Sequence, residues 1–282
     1  MFSFFNGGYM QKKWQFLMVV AFVLSMVPVQ GNAITYTTEY ITSWASCDCS
    51  QNALKYTSNQ VNYFHQRMSK YGHTRLRGYS NTSVWASDVV EDSYGGKDHW
   101  YSDDGDMYVF SGHGGAYNDS NGQYFSVPMC KRDNQTSCSA SSRKMIFGER
   151  GGSFSTPHSG SLRYLMWLTC ESVHTAPDYQ WIDTARYGLE YIMGYRGLSA
   201  DSSTTEEVAE DWVDKAMKDG RTFKSAWFYA IEDWWVNDVG SLVAPGVDAN
   251  ASIQRRDNLT KNWGRRPANE RATWMAWSWH QG

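Results

Sequence analysis

An α/β sandwich with a mainly parallel central sheet is the fold class this sequence predicts, and three observations carry it. Two apolar runs, Met107-Tyr108-Val109-Phe110-Ser111 and Tyr164-Leu165-Met166-Trp167-Leu168, are bounded by Gly or polar residues and show no polar alternation. That is the pattern of strands buried on both faces of a parallel sheet. Strand-like and helix-like patterns alternate along the chain, as in βαβ units. Trp, Tyr and Phe are spread from one end to the other with no Pro-rich or Ser-rich linker between them, which favours one aromatic-rich core. A three-layer αβα order is the expected architecture.

Residues 1–33 stand apart from that fold. Lys12 and Lys13 precede the apolar run Phe16 to Val29, and Gly31-Asn32-Ala33 supplies small residues at a cleavage site, so the segment reads as a signal peptide. An uncleaved anchor is the alternative, since the run is long for a signal core and short for a span. Cleavage leaves 34–282 as a secreted, periplasmic or cell-surface domain in which no later stretch is apolar enough to cross a bilayer, so no membrane partner is expected. Removing the two lysines takes the formal charge from −3 to −5. Nothing in that balance suggests a nucleic-acid partner.

Ile34 to Trp44 alternates apolar and polar residues and reads as the first strand. Leu54, Val61, Phe64 and Met68 recur at helical spacing within Asn52 to Tyr71, and Gly72 stops that helix. His73 to Tyr79 is a second strand, followed by a mixed segment with a short helix around Trp85 to Val90. The Met107 run ends in Ser111-Gly112-His113-Gly114-Gly115, and a long excursion, 116–161, carries Cys130, Cys138 and an expected hairpin at Lys144 to Phe147. Loops this long in a compact domain are usually functional. The Tyr164 run ends in Thr169-Cys170-Glu171, and Cys170 to Thr175 is expected to turn into a helix. Tyr187 to Tyr195 is a further strand, with Gly194 and Gly197 allowing close backbone approach. In the helical and strand part, 203–282, Ser203 to Glu207 offers a capping signal for a helix to Gly220. Arg221 to Val236 makes a second helix, and Leu242 to Val247 and Thr273 to Trp279 read as strands.

Chemistry in open α/β sheets collects at the carboxyl ends of the strands. His113 and Cys170 both sit at such ends, and an imidazole facing a thiol is the minimum equipment for a cysteine nucleophile. All five cysteines follow the signal segment. Either Cys130 pairs with Cys138, or both pair across to Cys47 and Cys49, and each scheme leaves Cys170 free. A free cysteine is also commonly a small buried hydrophobe.

An apolar strand running into Ser111-Gly112-His113-Gly114, followed by another running into Cys170, resembles the caspase-like clan (clan CD) of cysteine peptidases. The resemblance covers roughly Ile34 to Asp201. With Gly95-Gly96-Lys97-Asp98 and Gly188-Leu189-Glu190-Tyr191, it looks closest to uncharacterised exported bacterial members. It implies a caspase-like fold and a secreted cysteine endopeptidase hydrolysing a peptide or protein substrate through a thioester. His113 would be the base and Cys170 the nucleophile, with the Gly114 and Cys170 N–H groups as oxyanion hole. Thr169 stands where metacaspases place an acid. Glu171 and Asp201 are the candidates for lining the substrate pocket.

Other chemistries fit less well. Asp98, Asp103, Asp104 and Asp106 crowd a Gly-containing loop that could take calcium, but their spacing is not that of an EF-hand, and a solvated loop with Asx turns is the simpler expectation. Cys170 and His174 make only two metal ligands, so neither metal nor cofactor is expected. His65 and His73 read as surface or satisfied structural histidines. The Trp274, Trp277 and Trp279 tail reads as a strand rather than a sugar platform, and the many acids offer no distinct glycosidase pair. The main rival is a non-catalytic exported binding protein on the same fold.

Overall fold

The computed structural model describes residues 33–47, 49–131, 137–148, 160–174, 181–232, 238–267 and 270–282. The expected signal peptide and the end of the Arg221 helix, including Trp234, lie outside them. Among the described residues ten strands occur in order: β1 (Thr35–Tyr40), β2 (Thr74–Ser80), β3 (Met107–Ser111), β4 (Gly115–Asp119), β5 (Gly122–Pro128), β6 (Ser139–Ser141), β7 (Tyr164–Leu168), β8 (Tyr191–Tyr195), β9 (Val239–Gly246) and β10 (Trp274–Gln281). Among the same residues four α-helices accompany them: α1 (Thr57–Lys70), α2 (Val208–Val213), α3 (Phe223–Glu232) and α4 (Ala249–Asn258).

Seven strands form one mixed sheet in the order β10-β9-β8-β7-β3-β1-β2, and β4-β5-β6 form a small antiparallel sheet. β2, β1, β3, β7 and β8 pair in parallel, whereas β9 and β10 run antiparallel at one edge. The sheet grows from β1 in both directions. Right-handed crossovers in opposite directions must lie on opposite faces. Accordingly α1, between β1 and β2, packs with α2 and α3 on one face, and the β3-to-β7 excursion covers the other. Alternate residues of each central strand serve the two faces: Met107 and Val109 against Tyr108 and Phe110, Met166 against Leu165 and Trp167. Double burial is why these strands read as unbroken apolar runs.

The second face departs from a plain helical layer. Among the described residues it is closed by the small sheet, by 3₁₀ turns such as Ala86–Asp88, and by Trp44, Trp167 and Trp181. The expected helix around Trp85 to Val90 is therefore a set of short turns, and the expected hairpin at Lys144 to Phe147 is a 3₁₀ turn, Ser142–Lys144, running into extended chain. The helix expected from Cys170 is a turn, because Glu171 adopts φ 51° and the N–H groups of Glu171 and Val173 donate to Gly197 O and Tyr195 O. Thr205, part of the expected capping signal, uses its hydroxyl within its own turn, and the helix begins later, at Val208. Gly194 does allow close approach, since a Cβ there would meet Ser172 Oγ at 2.2 Å; at Gly197 the Glu171 N–H approaches the carbonyl, while a Cβ would meet nothing within 4 Å.

Disulfides join Cys47 to Cys130 and Cys49 to Cys138, the crossed alternative, and Cys170 is free. They tether the excursion to the chain after β1, and are compatible with an exported protein. No helix among the described residues is long and apolar enough to cross a membrane.

His65 and His73 are structural. His65 Nδ1 lies 2.8 Å from the Tyr36 hydroxyl, and His73 is buried with Nδ1 accepting from Ile34 N–H at 3.0 Å. Burial, helped by the Lys261 charge, lowers the His73 pKa to about 4. The unfolded chain then binds a proton below 6.5 that the native state refuses until about pH 4, so stability falls as the pH drops through that window. The expected loss is about 2 kcal/mol after solvent screening. Glu39 acts oppositely: burial, then the Asp88 charge, hold its pKa well above 4.5, so its contribution is lost as the pH rises from there. Urea unfolding against pH is expected to lose its acid limb in His73→Asn and its opposing limb in Glu39→Gln.

Candidate active site

β3 and β7 pair in parallel with Ser111 opposite Leu168, so His113 and Cys170 overhang the same sheet edge by the same number of residues. Both line one cleft of about 80 Å³, together with Thr57, Gln60, Ser199 and Asp201. Sequence reasoning named the pair, and the strand register is what brings it together.

The His113 ring lies on the buried Trp44 indole, centroids 4.9 Å apart, and Nε2 is 2.9 Å from Asn52 O. A backbone carbonyl only accepts, so Nε2 carries a proton and donates to Asn52 O, and Nδ1 is the ring nitrogen that this bond does not engage. Around Cys170, Ser199 N–H donates to Sγ at 3.4 Å, and the thiol is 3.6 Å from Ser199 O. Burial first, and then the charges of Asp238 and Cys170, push the Tyr195 hydroxyl well above its usual pKa, so it stays protonated beside the thiol.

Trp44, Asn52, Tyr195 and Ser199 went unrecognised in the sequence. Tyr195, the last residue of β8, carried a usable signal, since the strand next to a nucleophile strand ends at the same edge. Trp44, Asn52 and Ser199 act through a ring face and backbone groups, which no residue pattern marks.

Neither Gly114 N–H nor Cys170 N–H donates to another group among the described residues, leaving both available as oxyanion donors. Packing demands glycine at 114, because a Cβ there would meet Thr169 Oγ1 at 2.7 Å and Phe125 Cε2 at 2.8 Å. Gly114→Ala is expected to destabilise by about 1–3 kcal/mol through overpacking, measured by thermal unfolding.

Of the two pocket candidates Asp201 lines the cleft and Glu171 does not, and both carboxylates accept backbone hydrogen bonds. Glu171 Oε2 accepts from Ala116 N–H at 3.1 Å and so ties the Cys170 turn to the start of β4. Asp201 lines the cleft, but its oxygens accept from Lys55 N–H at 2.6 Å and Tyr56 N–H at 2.8 Å, holding the start of α1. A carboxylate at a helix N-terminus is favoured by the helix dipole. Asp238, unsingled in the sequence, anchors the other end of this loop through Ala200 N–H at 3.0 Å. His174 Nδ1 is 2.5 Å from Arg196 O, away from the thiol.

The acids of this loop are buried or paired rather than freely solvated. Asp103 is buried and accepts from Gly148 and Leu162 N–H at 2.9 and 2.7 Å; Asp104 pairs with Arg77, and Asp106 with Arg265 and Thr35. Asp98 is buried too. The Trp-rich tail is strand β10, where Arg196 stacks on Trp277 and Trp279.

A family model described as a domain of unknown function, DUF6345, matches residues 38–281. The chain belongs to this family. The match spans every strand of the DUF6345 sheet from Thr38 onward and both disulfides, along with His113 and Cys170. Among curated proteins, nothing matches the DUF6345 chain.

Proposed function

We propose that this protein is a caspase-like cysteine endopeptidase of an exported αβα fold, with Cys170 as nucleophile and His113 as base. The observation that carries the reading is that the one free cysteine shares a cleft, at the carboxyl edge of two adjacent parallel strands, with an imidazole whose Nδ1 is not engaged by the Asn52 bond. In the cycle, His113 Nδ1 takes the thiol proton and Sγ attacks the scissile carbonyl carbon. The oxyanion is held by the N–H groups of Gly114 and Cys170. Collapse breaks the C–N bond, the amine leaves with the proton from His113, and water hydrolyses the thioester by the same base.

A shallow groove of about 550 Å³ along Ser43 to Ala53 includes Trp44 and Asn52, the two residues that touch His113, and supports an extended peptide lying beside the dyad. Each Asp201 oxygen already accepts one backbone N–H and the cleft is small, which favours a small uncharged residue entering it. A peptide library incubated with the mature protein and read by mass spectrometry tests this. Cleavage after small uncharged residues, absent in Cys170→Ala, is the expected result, and no cleavage of any peptide would overturn it.

A second reading, an exported binding protein, draws on a polar cavity of about 470 Å³ away from the dyad, lined by Ser87, Ser126, Ser139, Ser141 and Lys144. A ligand held there would bind Cys170→Ala with unchanged affinity.

A further inference from the structure

Ahead of β3 the chain makes two 3₁₀ turns, Asp92–Tyr94 and Asp98–Trp100. The link between them needs glycine twice. Gly95 has φ 84°, and a Cβ on Gly96 would fall 1.6 Å from Val90 O. This tight return sets Asp92 against Asp98 and His99. One ligand atom from each of the three lies within 4.8 Å of the others, and His99 Nδ1 is 2.8 Å from Asp92 Oδ1.

The decisive feature is Asp98. It is 2% exposed; Oδ1 accepts from its neighbour's backbone N–H at 2.9 Å, while Oδ2 is buried with no hydrogen-bond partner among the described residues. A buried carboxylate oxygen without a donor is costly, and the cost grows with Asp92, Glu91 and Asp103 close by. A cation is the group that would satisfy it.

We propose that Asp92, Asp98 and His99 form a site for a divalent transition-metal ion of the Zn²⁺ or Mn²⁺ type. One imidazole with two carboxylates suits such ions, whereas Ca²⁺ collects six to eight oxygens. Ligands on one ion at bonds of ~2.1 Å stand roughly 3.4 Å apart, so small side-chain rotations close the site. The ion takes the place of the proton between Asp92 and His99, and that proton leaves to solvent. His99 N–H on Oδ1 orients the Asp98 carboxylate and leaves Oδ2 as the ligand atom. The bound ion pins both turns at the entry to β3, the strand that ends before His113. The site is independent of the peptidase reading.

The test is metal content and melting temperature of the chelator-stripped mature protein after dialysis against Zn²⁺, Mn²⁺ or Ca²⁺, followed by removal of excess metal. Wild type and Cys170→Ala are expected to retain one equivalent of Zn²⁺ or Mn²⁺ and to melt higher with it. His99→Ala and Asp98→Asn are expected to lose it, with affinity falling by more than the roughly 10–100-fold typical of an outer-shell change. Asp98 is buried, so Asp92→Asn carries the same test if Asp98→Asn fails to fold. Equal metal in wild type and His99→Ala would overturn the proposal. So would loss in Cys170→Ala, which would place the metal at the dyad, or retention of Ca²⁺ alone.

Discussion

Cys170→Ala is expected to remove peptide hydrolysis, lowering kcat by about 10⁴ or more, and His113→Ala to do nearly the same. The double variant should be no worse than either single one, because base and nucleophile act as a unit. The three proteins are compared by initial rates on the best library peptide, with circular dichroism as the control for folding. Asn52 acts only through its carbonyl, so Asn52→Ala is expected to leave most activity. Trp44→Ala removes the surface on which the imidazole rests, and its loss should fall on kcat more than on KM.

Glu190→Ala is expected to cost about 3–5 kcal/mol of stability with the cleft intact. Glu190 is fully buried; Oε1 and Oε2 each accept from the Arg163 guanidinium at 3.1 Å, and Oε1 also accepts from Arg266 N–H at 2.8 Å. Arg163 and Glu190 directly precede β7 and β8, whose first residues, Tyr164 and Tyr191, are in register. The ion pair therefore clamps the amino ends of the two strands, opposite to the dyad. Truncation leaves a buried guanidinium without its counter-charge. Urea unfolding at neutral pH reads the loss, with a melting temperature lower by roughly 10 °C. Arg163→Met with Glu190→Leu should recover much of it, because an apolar pair of similar volume avoids the desolvation cost.

What the sequence revealed depended on how each residue acts. β3 and β7 were legible because burial on both faces leaves no polar position in Met107–Phe110 or Tyr164–Leu168. α1 and β10 followed from periodicity, with their ends displaced by a few residues. Cysteine parity isolated Cys170, but the crossed pairing depends on where the excursion returns, a tertiary fact. The Cys170 turn was misread as a helix because its hydrogen bonds go to the end of β8 and the chain just after it, which local pattern does not encode. Asp103 and Asp106 looked like solvated loop acids, since their backbone and arginine partners lie far along the chain. Asp201 does line the cleft, but its engagement by the amides of Lys55 and Tyr56 is a tertiary fact that the local pattern does not carry.

Labelling of the purified protein with a peptidyl acyloxymethyl ketone, mapped by mass spectrometry, tests the Cys170–His113 dyad most directly. The account predicts a single adduct on Cys170 that forms rapidly in the wild type and at least about a hundredfold more slowly in His113→Ala. An unlabelled Cys170, or a rate unchanged by His113→Ala, would contradict it.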